Sequence, residues 1–302
     1  MQVDFTFISG QLFTGLSVAS ILLLAALGLA LSFGLMRVIN MAHGEFLMVG
    51  GYLTYLAAQW AGPTLGDAYL WVAFPLAFLG AALLGAVMEF TVIRRLYGRP
   101  LDTLLATFGI SLILQQAARQ LFGSTGVPVT APAWLGGALQ LGDVTLPFVR
   151  LFVIALALIV LGGMWWLLNR SRFGMHVRAV NQNREMAAAL GVNTRSLDLL
   201  VFALGAGVAG VAGVGLALIA PVNPTVGAAY IVNAFLVVVV GGVGSVLGGA
   251  VAAVLLGFVT ALAEGFTSVS LAQAILLVLV VAFLQWKPRG LIPTKSRALE
   301  EA

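Results

Sequence analysis

The sequence predicts an all-α, polytopic transmembrane helical bundle of about eight or nine spans, some of its helices broken or re-entrant. Three observations predict it. Hydrophobic residues make up 61% of the 302-residue chain and charged residues only 9%, far below the roughly one quarter found in soluble domains. Mean hydropathy is +1.07. The apolar residues also gather into runs near the roughly 20 residues that carry a helix across a bilayer core. Helices are the expected form, because unpaired backbone polar groups are costly in hydrocarbon. The chain therefore reads as a single integral membrane domain over 1–302, with no room for a soluble catalytic domain.

The spans are expected at about 11–35, 45–60, 70–93, 103–122, 149–169, 199–219, 231–247, 248–265 and 270–286. The first positive residue is Arg37, so a cleavable signal peptide is not expected and the first span is retained. Between the first two spans, residues 34–45 read Gly-Leu-Met-Arg-Val-Ile-Asn-Met-Ala-His-Gly-Glu. Asn40, His43 and Glu45 gather there, where a span should turn. They either hold that turn by side-chain-to-backbone hydrogen bonds or line a solute passage, since ionisable groups in a membrane are expensive and point to function. Glu89 precedes Arg94 by five residues, which suits an ion pair at the membrane edge. Gln115 and Gln116 fall within the fourth span, where they either bond between helices or touch the passage. Glu264 is read as opening a turn.

The region 170–198 is the main polar interruption, with Arg170, Arg172, Arg178, Arg184 and Arg195. Within it, 181–191 reads as a short helix. Asn181 or Asn183 supplies the N-cap, Glu185 complements the positive helix start, and Gly191 suits the position after the helix. Met186, Ala189 and Leu190 share one small apolar face. Such a helix either lies on lipid headgroups or docks in a protein groove, and its alanines suit the groove. Further on, only ten mostly apolar residues run from Ile231 before the cluster Gly241, Gly242, Gly244 and Ser245. A helix of that length spans about 15 Å, half of what a crossing needs. A broken helix or re-entrant turn is expected, and broken spans in transporters often mark the substrate path. Gly248 and Gly249 are consistent with close helix packing.

Basic residues set the orientation. Arg94, Arg95 and Arg99, the five arginines of 170–198, and Lys287, Arg289, Lys295 and Arg297 make twelve of the fifteen Lys and Arg residues. They belong on the cytoplasmic side. The intervening connections 61–69, 123–148 and 220–230 hold no Lys or Arg. The C-terminus is thus expected inside and, with nine crossings, the N-terminus outside. The net charge of +4 and pI near 9.9 follow from these flanking residues, so nucleic acid is not an expected partner. With no cysteine, thiolate chemistry is excluded. A nucleotide-binding P-loop needs Gly-Lys, whereas Lys287 and Lys295 follow Trp286 and Thr294. Neither His43 nor His176 belongs to a cluster with metal-ligand spacing, and no Gly-x-Ser-x-Gly elbow occurs. The chain reads as a non-enzyme.

Two of these motifs resemble a known family. The 185–191 string Glu-Met-Ala-Ala-Ala-Leu-Gly resembles the coupling motif of ABC importer permeases (Glu-Ala-Ala, three residues, Gly), with Met186 inserted after the acid. Residues 34–45 closely resemble the signature of LivH-type permeases of branched-chain amino acid importers, and 235–249 resemble the same family's later signature. The resemblance covers essentially the whole chain, in order. Residues 99–116 and 178–187 are most similar to its urea-transporter branch.

The resemblance implies a permease of the bacterial inner membrane, paired with a second homologous permease, two ABC ATPase subunits and a periplasmic binding protein. ATP and magnesium would bind in the ATPases, and no cofactor in this chain. The expected cargo is urea or a short amide; the alternatives are a branched-chain amino acid and, from another class, a passive channel. On this reading Asn183, Arg184, Glu185, Ala187, Ala188, Leu190 and Gly191 couple to the ATPases. Asn40, His43, Glu45, Gln115, Gln116, Gly241, Gly242, Gly244 and Ser245 form the pathway and its gates.

Overall fold

The computed structural model describes residues 5–36, 38–141 and 144–292. Arg37, Lys295 and Arg297, named above, lie outside these residues. The elements run α1 (Phe5–Met36), α2 (His43–Leu65), α3 (Tyr69–Thr91), α4 (Pro100–Phe122), β1 (Ala138–Leu141), β2 (Val144–Pro147), α5 (Phe148–Arg170), α6 (Arg172–Gln182), α7 (Arg184–Ala189), α8 (Thr194–Ala217), α9 (Val226–Gly241), α10 (Val246–Phe266) and α11 (Val269–Trp286). Among the described residues, seven segments are long and apolar enough to cross a membrane. One of them, His43–Arg95, contains both α2 and α3. The shorter α9 adds an apolar helix of 16 residues. The fold is an all-α polytopic bundle.

Two helices form its centre. α1 and α8 are buried along most of their lengths, and α2, α3, α9 and α10 pack around them. α8 achieves this by shedding side chains: Gly205 faces Gly28 of α1, and Gly210 faces Ala77 and Ala81 of α3 as well as Gly50 of α2. Without a hydrophobic force between helices in lipid, close backbone approach supplies the packing. α4, α5 and α11 lie outside and turn apolar side chains such as Leu105, Ile159 and Val278 outward.

Two chain segments return into the bundle. α1 has 32 residues, about 48 Å at 1.5 Å per residue, yet the His43 Nε2 that opens α2 lies 3.1 Å from the Ala25 carbonyl, well short of the end of α1. The polar turn at 38–42 therefore runs back beside α1, and α2 begins inside the bundle. After α8 the chain also turns inward: Val222 is fully buried against Gly51. α9 then starts beside the first turn of α2, with Gly227 against Gly44. Two helix N-termini thus meet within the membrane domain.

α9 begins earlier than the expected 231–247, because Gly227 belongs to this helix contact rather than to a turn. Its 16 residues span about 24 Å, less than the roughly 30 Å hydrocarbon core. The break falls where expected: Gly242 and Gly244 have φ of +101° and +81°, a region that favours glycine. Gly241 and Gly248 pack backbone to backbone, whereas a Cβ at Gly249 would meet nothing within 4 Å. The two neighbouring glycines therefore have different roles. Gly248→Ala is expected to destabilise the protein by about 1–3 kcal/mol through overpacking. Gly249→Ala should be neutral, or stabilise by up to about 1 kcal/mol through helix propensity. Thermal unfolding of the two purified variants checks the pair.

Three other expectations are corrected. The 170–198 interruption is helical almost throughout, because three polar side chains cap successive helices. Ser171 Oγ accepts from Gly174 N at 3.1 Å, Asn183 Oδ1 from Met186 N at 2.9 Å, and Asn193 Oδ1 from Ser196 N at 3.1 Å. Asn181 is inside α6, so Asn183 is the cap. In the 61–69 turn, α2 continues through Pro63 to Leu65 before a short 3-10 turn, and Glu264 lies inside α10 rather than at a turn. The 123–148 connection holds a two-stranded antiparallel hairpin pairing Leu139 with Leu146.

Candidate functional site

The polar turn is a buried centre. Asn40 is 1% exposed and Glu45 0%. Asn40 Oδ1 accepts the Ala42 N–H at 3.0 Å, so the turn is held by a side chain in the way the sequence suggested. Because a carbonyl only accepts, His43 carries its proton on Nε2 and donates it to Ala25 at 3.1 Å. Its ring meets Phe46 edge to face, with centroids 5.7 Å apart. His43 thereby ties α2 to α1.

Glu45 faces the other way, toward α4. Its Oε1 accepts from Ser111 Oγ and from Gln115 Nε2, both at 2.9 Å, and Gln115 also donates to Ser111 at 3.1 Å. Among the described residues its Oε2 has no hydrogen-bond partner, and neither does Asn40 Nδ2. That free oxygen lies beside Gly227, where an added Cβ would come within 2.6 Å of it. The carboxylate thus sits at the N-terminal turns of α2 and α9, whose partial positive ends favour a negative charge.

α4 answers this centre with a polar stripe. Thr103, Thr107, Ser111 and Gln115 are its buried polar residues, and their spacing of four places them on one helix face. Thr107 Oγ1 accepts from Met41 N at 3.1 Å. Thr103, Thr107 and Ser111 were missed in the sequence; the signal was their four-residue spacing, ending at Gln115. Gln116, one position on, is turned about 100° away. It is exposed and takes a hydrogen bond from Arg119 at 3.5 Å, so it does not join Glu45.

The glycine turn forms a second locus at the end of the bundle that carries most of the arginines. Ser245 Oγ caps α10 by accepting from Gly248 N at 3.0 Å. Gly34, at the start of the 34–45 segment, abuts Gly244. The chain after α11 folds back here, with Leu291 N donating to Val240 O at 2.8 Å and Ile292 N to Gly241 O at 3.1 Å. These bonds satisfy the last carbonyls of α9, a strap with no forewarning in the sequence. A cavity of about 380 Å³ opens beside the turn, lined by Gly34, Trp165, Arg178, Asn181 and Ser245 among others. Asn40, Glu45 and Gln115 therefore form one centre, whereas Gly241, Gly242, Gly244 and Ser245 form another, joined to it through 34–45.

The third locus is α7, on the same arginine-rich end. Its C-terminal turn is a Schellman motif: Val192 N donates to Ala187 O and Gly191 N to Ala188 O, both at 3.0 Å, with Gly191 at φ +90°. Met186 and Leu190 are 59% and 79% exposed, and Glu185, Ala188 and Ala189 are exposed with them. Ala187 is buried, so it seats the helix instead of facing outward. Arg184 reaches inward to Asp198, with Nη1 3.2 Å from Oδ1 and Nη2 bonded to Oδ2. That hydrogen bond holds the guanidinium above its ordinary pKa range. The Arg184 guanidinium also lies over the Tyr97 ring, 5.5 Å from its centroid. Burial first, then the Asp198 and Glu89 carboxylates, push the Tyr97 phenol well above its usual range. Glu89 and Arg94 form the expected ion pair at 3.1 Å.

A bundle of long apolar helices around a polar centre defines a multi-pass membrane protein. The family model described as "Branched-chain amino acid transport system / permease component" matches residues 11–284, and the chain belongs to that family. It is 29% identical to the high-affinity branched-chain amino acid transport system permease protein BraD of Pseudomonas aeruginosa, over 79% of this chain and 80% of that one. It is 27% identical to the corresponding LivH of Salmonella typhimurium, over 82% and 83%. A probable LivH of Methanocaldococcus jannaschii is 30% identical over 76% and 73%. No solved structure matches the chain.

Proposed function

We propose that this chain is the membrane-spanning permease of an ATP-driven importer that brings branched-chain amino acids into the cytoplasm. The observation that carries this reading is the family match across 11–284, supported by the cargo in the names of the relatives above. Urea and short amides, expected from residues 99–116 and 178–187, are not supported by these relatives and stand as the second reading. On the proposed reading the chain works with a second homologous permease, two ABC ATPase subunits and a periplasmic binding protein. ATP and magnesium bind in the ATPases. The arginine-rich end and the C-terminus face the cytoplasm of a bacterial inner membrane, following the distribution of positive charge, and the N-terminus faces outward. Residues 1–302 act as one permease domain, with 170–198 as its coupling region.

The mechanism divides labour. ATP-driven closure of the ATPases displaces α7, the rigid central helices carry the displacement, and the glycine turn at 241–245 gates alternating access. Asn40, Glu45 and the Thr103–Gln115 face of α4, buried here, meet the solute when the gate opens; His43 ties α2 to α1 beside them, and Gln116 faces away. The binding protein supplies most of the selectivity. The test uses the reconstituted complex. Its ATPase activity should rise with leucine-loaded binding protein and not with the urea-loaded form. The reverse response would establish the second reading, and solute flux through this chain alone in liposomes would replace both with a passive channel.

A further inference from the structure

α7 is not merely perched on the bundle. Arg184, its first residue, grips Asp198 with two hydrogen bonds, and Asp198 is fully buried near the start of α8. The same guanidinium lies over Tyr97, in the turn between α3 and α4. Tyr97 Oη donates to Glu89 Oε1 at 3.4 Å, and Glu89 Oε2 takes Arg94 at 3.1 Å. One side chain of α7 therefore contacts two routes into the membrane. Asp198 leads to α8, against which α1, α2 and α3 pack at glycine contacts. Tyr97 leads to the end of α3 and, through Pro100, to α4, whose polar face bonds the 39–45 turn.

A helix that needed only anchoring could be seated by apolar contacts, as Ala187 already does. Burying a carboxylate adds a desolvation cost that apolar packing avoids, and a charge pair contributes fixed relative geometry in exchange. A two-pronged guanidinium–carboxylate pair constrains both distance and angle.

We propose that Asp198 and Tyr97 are the positioning residues through which movement of α7 enters the bundle, Asp198 driving α8 and Tyr97 driving the α3–α4 turn. This rests on the reading of α7 as the ATPase-docking helix. The test uses the whole importer in proteoliposomes, comparing the parent with Asp198→Asn, Asp198→Glu, Tyr97→Phe and Tyr97→Leu. Three quantities are read: ATPase subunits copurified, ATP hydrolysed, and solute imported per ATP. Asp198→Asn should retain the ATPase subunits and their basal hydrolysis while solute per ATP falls about fivefold or more, the lower range of site-to-site coupling. Asp198→Glu, which restores the charge, should recover part of the loss. Tyr97→Leu should lower the ratio more than Tyr97→Phe, which keeps the ring beneath Arg184.

Parental solute per ATP in Asp198→Asn overturns the proposal. So does a drop in assembled complex with the ratio unchanged, because that is the mark of a purely structural pair. Failure of the docking reading is distinguishable: a single cysteine in place of Ala189, on the exposed side of α7, would then give no crosslink to the ATPase in the otherwise unmodified importer.

Discussion

Glu45→Gln is expected to cut uptake by about tenfold, the equivalent of about 1.4 kcal/mol, while leaving the assembled importer folded. The amide keeps an oxygen to accept from Ser111 and Gln115, as Glu45 Oε1 does now. What changes is the second oxygen, which lies beside the first turn of α9 with no hydrogen-bond partner among the described residues. A donor NH2 there replaces a negative charge facing two helix N-termini, reversing a favourable interaction. Charged groups within a membrane cost several kcal/mol on most scales, so a carboxylate retained at 0% exposure is expected to act in transport. Glu45→Leu is expected to be worse in kind. It leaves the Ser111 hydroxyl and Gln115 amide with only each other, at a stability cost of about 1–3 kcal/mol. Proteoliposome uptake and thermal unfolding, measured together, separate the effects. Parental uptake in Glu45→Gln would reduce the centre to a structural staple.

The second large effect is at α7. Gly191→Pro and Glu185→Lys are each expected to uncouple ATP hydrolysis from uptake, by different routes. Proline fixes φ near −65° and lacks an N–H, whereas Gly191 sits at +90° and donates to Ala188. The Schellman closure opens, and the exposed Met186–Leu190 surface loses its shape. Glu185→Lys keeps the shape but places a positive charge at the positive end of α7 and reverses the charge offered to a partner. Glu185→Lys should yield membrane protein at parental levels, since Glu185 is exposed, whereas Gly191→Pro adds backbone strain at the α7 end because Gly191 has φ +90°. Uptake should fall about tenfold or more, within the range of coupling free energies. The readout is the ratio of solute imported to ATP hydrolysed, and unchanged ratios in both variants would remove docking at α7.

Much of this fold was legible from hydropathy, and the reasons for the gaps are physical. Each expected apolar span has a helix, and the break at Gly241–Ser245 is where ten apolar residues ran out. Depth was hidden, because hydropathy gives the order of segments and not their level in the membrane. Asn40 and Glu45 look like a connecting turn in sequence, yet the chain doubles back along α1 and buries them. The 220–230 connection hid a related feature, since Gly227 there lets α9 touch α2 at Gly44. In α4, Gln115 was visible and Thr103, Thr107 and Ser111 were not, since single small polar residues are common in apolar helices and only their spacing marks a face. At α7, Asn183, Glu185 and Gly191 were legible because capping is local chemistry. The Arg184–Asp198–Tyr97 contacts were not, because they join residues far apart in the chain. Cargo was the least legible, and the names of the relatives, not side chains, moved the proposal from urea to branched-chain amino acids.

The most direct measurement is site-specific crosslinking from α7 in the assembled importer. The chain has no cysteine, so Ala189→Cys supplies a unique thiol on the exposed side of that helix. A short bifunctional reagent should join it to the ATPase subunit, in a yield that changes when ATP binds. Adducts with lipid alone, or labelling of that thiol by an impermeant reagent from the outer face, would contradict the account.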